Sequence, residues 1–345
     1  MQDNPDSWRP YPQPMPKPPA YGCGQPPHGQ PAPLYGPPQP PCMQSMPPYG
    51  KPQSVSVRVP QRRRLYDHPV IATVLTVLQY FAYSIAAGVL VLMPIGFTML
   101  SSPSGAADFP TWVTGVGLVL QLLVGIAMAV VYEFRNRFSF DGMLGWAWPG
   151  MAMASPALLL AACNLYEVIA KGLPASTPVP VAIAMAFSPG FAEEVVFRAI
   201  PCSNWMRVRG DGKSVIPCVL VTSLAFGLMH ATNLFGGASL STTLFQLAYA
   251  TTLGILLSAV FLRTGSIWPC VIVHTTIDAT AFVYSNLSDA GIVSEELAID
   301  GVFLAAATLS VALAAIGFAL VRPSIRGKIE ALWATKWHKG ILRRD

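Results

Sequence analysis

Six ionisable side chains in the second half of the chain lie inside long apolar runs, where each could carry chemistry. They are Glu193, Glu194, Arg198, His230, His274 and Asp278. An ionisable group within an apolar, membrane-like segment is costly to keep there, so each one is a functional hypothesis by default. Together they predict a polar site built from three otherwise apolar helices.

The first group shows a spacing with a chemical meaning. Glu194 and Arg198 are four residues apart, so on a helix they share a face and can neutralise each other. Glu193 lies about 100° further around that helix and is left to face a cavity. Burial disfavours the charged form of a carboxylate that has no full partner. Such a group suits a base that takes a proton from water and passes it on.

The two histidines belong to two further segments. His274 and Asp278 are one helical turn apart, so the carboxylate can fix the tautomer and orientation of the imidazole. His230 ends a Phe-x-x-x-His motif whose Phe226 is predicted to support the site. Taken singly, these residues also fit a packed histidine or a hydrogen bond between helices. Their conjunction in three apolar segments favours a reaction site.

The composition indicates that the elements positioning these residues cross a membrane. Of 345 residues, 52% are hydrophobic and 11% are charged, against roughly 25% charged in ordinary soluble chains. These values exclude a soluble globular enzyme and a nucleic-acid reader. Residues 1–60 hold 19 of the 33 prolines, a composition that favours an extended, disordered tail.

Hydropathy predicts an all-α, polytopic transmembrane helical bundle of about eight spans, because one crossing needs about 20 apolar residues. The expected spans are 70–99 with a break at Pro94, 111–132, 149–169, 179–200, 214–233, 240–262, 267–285 and 301–321. Asn233 with Gly236-Gly237 divides the long uncharged run from Ser214 to Leu262. The expected divisions are a disordered Pro-rich cytoplasmic tail at 1–66, N-terminal transmembrane helices at 67–175, a core with the six ionisable residues at 176–290, and the last transmembrane helix with a basic amphipathic C-terminal tail at 291–345.

The basic residues of the short connections predict the orientation of the chain. They lie on one side, which should be cytoplasmic, as at Arg62 to Arg64, Arg207 to Lys213, Arg263 and the segment from Arg322 to Arg344. The loop from Ser285 to Asp300 is acidic and belongs outside. We therefore expect a multi-pass plasma-membrane protein with both termini in the cytoplasm. Residues 325–342 are predicted to form a basic amphipathic helix along the inner surface.

The order of the three motifs resembles a known family. Glu193-Glu194-x-x-x-Arg198, then Phe226-x-x-x-His230, then His274-x-x-x-Asp278 are similar to the signature of the CAAX protease and bacteriocin-processing (CPBP) intramembrane proteases, the type II CAAX prenyl endopeptidase-like family. Gly265 to Pro269, ahead of His274, is also similar to the lead-in of that family. The resemblance covers about residues 180 to 285.

The resemblance implies a role for each matching position. Glu193 would activate the attacking water beside His230, while His274 and Asp278 would position or stabilise the oxyanion. Glu194 and Arg198 would hold the site together. The third motif of the family commonly ends in Asn, whereas this chain has Asp278, which would repel an oxyanion when ionised. Orientation of His274, or a protonated carboxyl, is then the role expected of Asp278.

The residues leave the metal content open. Two imidazoles and a carboxylate, from His230, His274 and Glu193, match the ligand set of a catalytic zinc ion with an open fourth position. The chain lacks HExxH, which places two His ligands on one helix with a separate Glu as base. A metal-free site, with Glu193 as base and the imidazoles stabilising the oxyanion, uses each residue once.

The predicted function is hydrolysis of a peptide bond in a membrane-associated protein or peptide by Glu-activated water. The resemblance implies either CAAX-type processing or processing linked to bacteriocin maturation and immunity. Two other classes fit the polar residues. One is a catalytically silent membrane scaffold or immunity protein with a retained polar network. The other is a proton-coupled transporter, which would show an internal repeat that this sequence lacks.

Overall fold

The computed structural model describes residues 67–100, 111–136, 143–170, 177–283 and 299–342, and every regular element in these ranges is helical. The expected all-α fold is therefore confirmed. The predicted disordered tail at 1–66 and most of the predicted outer loop, including Asp289, Glu295 and Glu296, lie outside the described residues. The described helices belong to one compact unit, Gln61–Asp345.

The first half of the unit contains five α-helices. They are α1 (Pro69–Ala87), α2 (Met93–Leu100), α3 (Thr111–Asn136), α4 (Trp148–Ala154) and α5 (Leu158–Ala170). A π-helical segment, Gly88–Leu92, joins α1 to α2, and a short 3-10 turn, Ser155–Ala157, joins α4 to α5.

The second half contains the remaining helices. They are α6 (Val179–Glu194), α7 (Ile200–Val208), α8 (Val215–Met229), α9 (Leu240–Thr264), α10 (Trp268–Phe282), α11 (Gly301–Leu320) and α12 (Pro323–Leu342). A second π-helical segment, Val195–Ala199, joins α6 to α7, and 3-10 turns at Gly212–Ser214 and His230–Gly236 flank α8. Gly237 adopts a φ of 93°, which ends the turn at the predicted break.

Each π-helical segment ends two residues before a proline. Gly88–Leu92 precedes Pro94, and Val195–Ala199 precedes Pro201. Proline has no N–H, so the carbonyl four residues earlier loses its α-helical donor and the helix adjusts locally. At Pro94 this adjustment lies at the predicted break. Helix α6, by contrast, continues through Pro189 without a break.

Seven helical segments in the described residues are long and apolar enough to cross a membrane. They are Pro69–Gly96, Gly115–Phe134, Trp148–Ala170, Val179–Val208, Gly212–Phe235, Leu240–Thr264 and Gly301–Leu320. These segments make the chain a multi-pass membrane protein and match seven of the eight predicted spans. Large apolar side chains point outward from them, as at Leu90 and Ile169, which are 74% and 78% exposed.

The eighth predicted span, 267–285, corresponds to the shorter helix α10. Its 15 residues rise only about 22 Å, against a hydrocarbon thickness of about 30 Å. Gly265 ends α9 with a φ of 60°, and α10 begins three residues later at Trp268 and ends at Phe282. Helix α10 packs antiparallel to α6, because the Thr177 N–H donates to the Val283 carbonyl at one end while Thr275 contacts Gly190 further along.

Basic residues of several helices gather at one end of the unit. Arg207 forms an ion pair with Asp67 at 3.3 Å, and Arg263 donates to the Leu320 carbonyl at 3.0 Å. Helix α12 closes against the same end. Its Trp333 is buried and donates to the Leu262 carbonyl at 3.0 Å. The predicted C-terminal helix is present, and part of its apolar face is buried against protein.

Candidate active site

Close helix contacts fix the position of Glu193 and Glu194, the last two residues of α6. A Cβ atom added to Gly125 of α3 would lie 2.8 Å from the Ala192 Cα, and one added to Gly190 would lie 2.6 Å from the Thr275 Oγ1. Both glycines therefore allow backbones to approach within one turn of the two carboxylates, as small residues do between membrane helices. The acids are held by α3 on one side and α10 on the other.

Glu194 and Arg198 form the ion pair that their spacing predicts. The Arg198 Nη1 lies 2.9 Å from the Glu194 Oε1, and both side chains are fully buried. The Arg198 guanidinium also lies over the Phe226 ring, with 4.1 Å from Cζ to the ring centroid. This cation–π contact joins the pair to α8. The pair therefore connects two helices as well as neutralising its own charges.

His274 lies among three carboxylates. Its Nδ1 lies 2.9 Å from the Glu194 Oε1, and its Nε2 lies 3.5 Å from the Asp278 Oδ2 and 3.8 Å from the Glu193 Oε2. An ionised carboxylate can only accept a hydrogen bond, so we assign a proton to Nδ1. Glu194 thus makes the shortest contact with the imidazole, and Asp278, whose side chain is 26% exposed, faces the other nitrogen.

His230 is joined to the site through Phe226. Its Nδ1 lies 3.0 Å from the Phe226 carbonyl, one turn earlier at the end of α8. The rings of His230 and His274 both stand edge-on to the Phe226 ring, with centroids 5.1 Å and 5.5 Å away. Phe226 is 1% exposed and so acts as a spacer between the imidazoles. The Nε2 of His274 faces Asp278 and Glu193, whereas the described contacts of His230 involve its Nδ1 and its ring.

The two adjacent glutamates occupy different environments. Glu194 is fully buried, and one of its oxygens receives both Arg198 and His274. Glu193 is 9% exposed, and its contact with His274 is 3.8 Å, longer than a hydrogen bond. An acid with free lone pairs beside an oriented imidazole can take a proton from a bound water. The geometry therefore favours Glu193 over Glu194 as the base.

The structure brings all of the predicted site residues together and adds a contact that the sequence did not indicate, the bond between Glu194 and His274, which are 80 positions apart. It also places Tyr80 of α1 near the site: the Gln121 amide, one turn before the glycine that packs against Ala192, donates to the Tyr80 hydroxyl at 3.0 Å. A spacing of four between Ala72, Thr76 and Tyr80 marks the buried face of α1. That spacing was the available signal for Tyr80.

The residues considered as zinc ligands do not form a recognisable metal site. Within the described ranges, no group of three or more His, Cys, Asp or Glu side chains has an arrangement that could hold a metal ion. The contacts of His274 instead join it to Glu194, with Glu193 and Asp278 beyond hydrogen-bond distance or at its limit. The side chains thus do not fit the expected zinc ligation by His230, His274 and Glu193, which stays a prediction.

Comparison with known proteins identifies the segment that contains these residues. In the comparison with curated proteins no match was found. A family model does match, over residues 175–280, and this range includes α6 to α9 and most of α10. All three predicted motifs fall within it. Residues 175–280 therefore form a domain of the type II CAAX prenyl endopeptidase Rce1-like family.

Proposed function

We propose that this protein is an intramembrane endopeptidase that hydrolyses a peptide bond of a membrane-associated substrate with water activated by Glu193. One observation carries the proposal. Glu193 is the acid that remains free of the buried ion pair, and it lies beside the imidazole that the pair orients. The membership of residues 175–280 in an endopeptidase family supports the same reaction.

The reaction needs no group beyond this chain, the substrate and water. Glu193 takes a proton from the water while the water oxygen adds to the peptide carbonyl carbon. The π electrons of the carbonyl group move onto the carbonyl oxygen. When this tetrahedral intermediate collapses, the electrons return and the C–N bond breaks. Glu193 gives the proton to the departing amine. The products are a carboxylic acid and an amine.

The contacts of His274 give it an orienting and electrostatic role in this scheme. Glu194 accepts from Nδ1 and holds the ring, so Nε2 faces Glu193 and the reacting atoms. The Arg198 Nη1, 2.9 Å from the same Glu194 oxygen, holds that carboxylate in place. Preorganised groups of this kind lower the barrier because they need no reorganisation during the reaction.

The substrate class follows from where the site lies. Glu193 and Glu194 stand about midway along Val179–Val208, a segment long enough to cross a membrane, so the scissile bond must come to that depth. A peptide with a membrane-borne anchor satisfies this requirement. The substrate is therefore either a lipid-modified C-terminus, as in CAAX-type processing, or a hydrophobic precursor peptide, as in bacteriocin-type processing.

The test measures cleavage by the full-length protein in liposomes. The probes are an internally quenched farnesylated peptide with a CAAX-type C-terminus, the same peptide without the farnesyl group, and a library of hydrophobic peptides read by mass spectrometry. Glu193→Gln should abolish cleavage while folding persists, and Glu330→Gln, an exposed acid on α12, should leave it unchanged. Cleavage by wild-type protein that is no greater than by Glu193→Gln overturns the proposal.

A further inference from the structure

Tyr80 is a buried tyrosine outside the family-matched range. It is 5% exposed and lies on the inner face of α1 with Ala72 and Thr76. Helix α1 packs along α7 and the π-helical segment Val195–Ala199, and Trp205 of α7 donates to the Thr73 hydroxyl at 3.2 Å. The buried face of α1 therefore leads from the end of α7 towards Glu193.

The Tyr80 hydroxyl is held from the side of α3. The Gln121 amide donates to it at 3.0 Å, and Ser84, one turn further along α1, is a second polar neighbour. Gln121 lies one turn before Gly125, the residue that brings α3 against Ala192. The close contact that positions Glu193 thus also positions Gln121. Tyrosine and carboxylate are within Coulomb range of each other, and no direct hydrogen bond joins them among the described contacts.

The side chains around His274 are mostly acidic, so a neutral hydrogen-bond donor such as a phenol would add a function that they cannot supply. His274 is surrounded by Glu193, Glu194 and Asp278, and carboxylates repel the oxygen anion that forms when water adds to a carbonyl. A phenol is neutral and protonated at ordinary pH. The Gln121 Nε2 donates to the phenol oxygen, so in this contact the phenol keeps its own proton for another acceptor. Preorganised neutral donors of this kind form oxyanion holes.

We propose that Tyr80 is a further catalytic residue, whose hydroxyl donates a hydrogen bond to the oxygen anion of the tetrahedral intermediate, and that Gln121 is the positioning residue that aims it. This inference rests on the proposed peptidase function. The phenol keeps its proton throughout: it donates a hydrogen bond while the carbonyl oxygen carries the negative charge. It releases that oxygen when the electrons return and the C–N bond breaks.

The first test is the substitution Tyr80→Phe in the full-length protein, assayed with whichever peptide probe the wild-type protein cleaves. Loss of one oxyanion donor lowers kcat by about 100-fold to 1,000-fold, while KM should change little because the bond forms only as the reaction proceeds. Gln121→Leu should lower kcat less, since the hydroxyl remains. Tyr83→Phe is the matched control, because Tyr83 lies on the same helix and is 37% exposed.

A second test separates the hydroxyl's chemistry from packing. Site-specific replacement of Tyr80 by fluorinated tyrosines keeps the hydroxyl and nearly the same volume, but it strengthens the phenol as a donor. The kcat should rise steadily with phenol acidity while the phenol stays protonated. A kcat that does not depend on acidity overturns the proposal, even where Tyr80→Phe is inactive because it misfolds.

The outcomes distinguish this inference from the proposed function. If Glu193→Gln abolishes cleavage and Tyr80→Phe retains wild-type kcat, the peptidase function stands and the role of Tyr80 is refuted. If wild-type protein cleaves none of the probes, both are refuted, because no oxyanion then forms. Loss of kcat in Tyr80→Phe, together with the dependence on acidity and an unchanged Tyr83→Phe, supports both.

Discussion

Removing Arg198 should destabilise the protein far more than removing any exposed cation. Arg198→Met keeps most of the side-chain volume but leaves the Glu194 carboxylate fully buried without its ionic partner. Breaking a buried pair in this way typically costs about 3–5 kcal/mol. Loss of the cation–π contact with Phe226, at 4.1 Å from Cζ to the ring centroid, adds up to about 2 kcal/mol for a desolvated site.

A double-mutant cycle tests whether this cost comes from the pair itself. Glu194→Gln alone leaves the Arg198 charge buried, so it should also cost about 3–5 kcal/mol. The double variant contains neither charge and should be at least about 2 kcal/mol more stable than the sum of the single effects predicts. The matched control cycle uses Arg207→Met and Asp67→Asn, whose ion pair is 3.3 Å long and partly exposed. Such pairs are worth about 0–1 kcal/mol.

The free energy of unfolding is measured by titrating the protein from mild detergent into SDS and following tryptophan fluorescence and helicity together. The expected order of coupling energies is Glu194–Arg198 well above Asp67–Arg207. If the Glu194 and Arg198 effects add to within about 0.5 kcal/mol, the two charges do not depend on each other. The ion pair would then not be the clamp of the site.

Three further predictions concern the metal, the topology and the packing of the site. Exhaustive chelation should leave full peptidase activity at negligible zinc, as measured by elemental analysis; activity restored only by added zinc would contradict the metal-free mechanism. Reporters fused after Arg137 and after Glu296 should lie on the cytoplasmic and outer sides respectively, and a shared side would refute the proposed orientation. Gly190→Ala should lower the free energy of unfolding by about 1–3 kcal/mol relative to the control Gly115→Ala. The new Cβ at position 190 meets the Thr275 hydroxyl, whereas Gly115 faces open space. Equal unfolding free energies for the two variants would show that α6 and α10 do not need the close approach.

Hydropathy alone predicted most of the fold because each crossing helix must supply its own apolar length. Seven of the expected spans correspond to such helices. The exception is α10, which carries His274 and Asp278 and has only 15 residues, from Trp268 to Phe282. Its length depends on packing against α6 rather than on contact with lipid. Apolar length therefore could not set the bounds of this helix.

Site residues with chemically distinctive side chains could be predicted from the sequence, whereas residues that act through tertiary contacts could not. Charged residues are rare in apolar runs, so Glu193, Glu194 and Arg198 were evident from their types and spacing. The contact between Glu194 and His274 depends on how α6 meets α10 across 80 positions. Tyr80 was missed for a related reason. Tyrosine is frequent at membrane–water interfaces, so its residue type alone does not mark it, and the spacing on α1 becomes informative only with the packing of α1 against α3 and the π-helical segment Val195–Ala199.

A single oxygen atom links the stability of this protein to its chemistry. The Glu194 Oε1 receives Arg198 Nη1 and His274 Nδ1, both at 2.9 Å. If Arg198 is removed, this oxygen loses one of its two described donors, and the carboxylate that holds the imidazole is less firmly fixed. The His274 ring loses its orientation as the helix contact weakens. Glu193 takes no part in this pair, so its amide variant should lose cleavage without losing stability, whereas changes at Arg198 should lower both together.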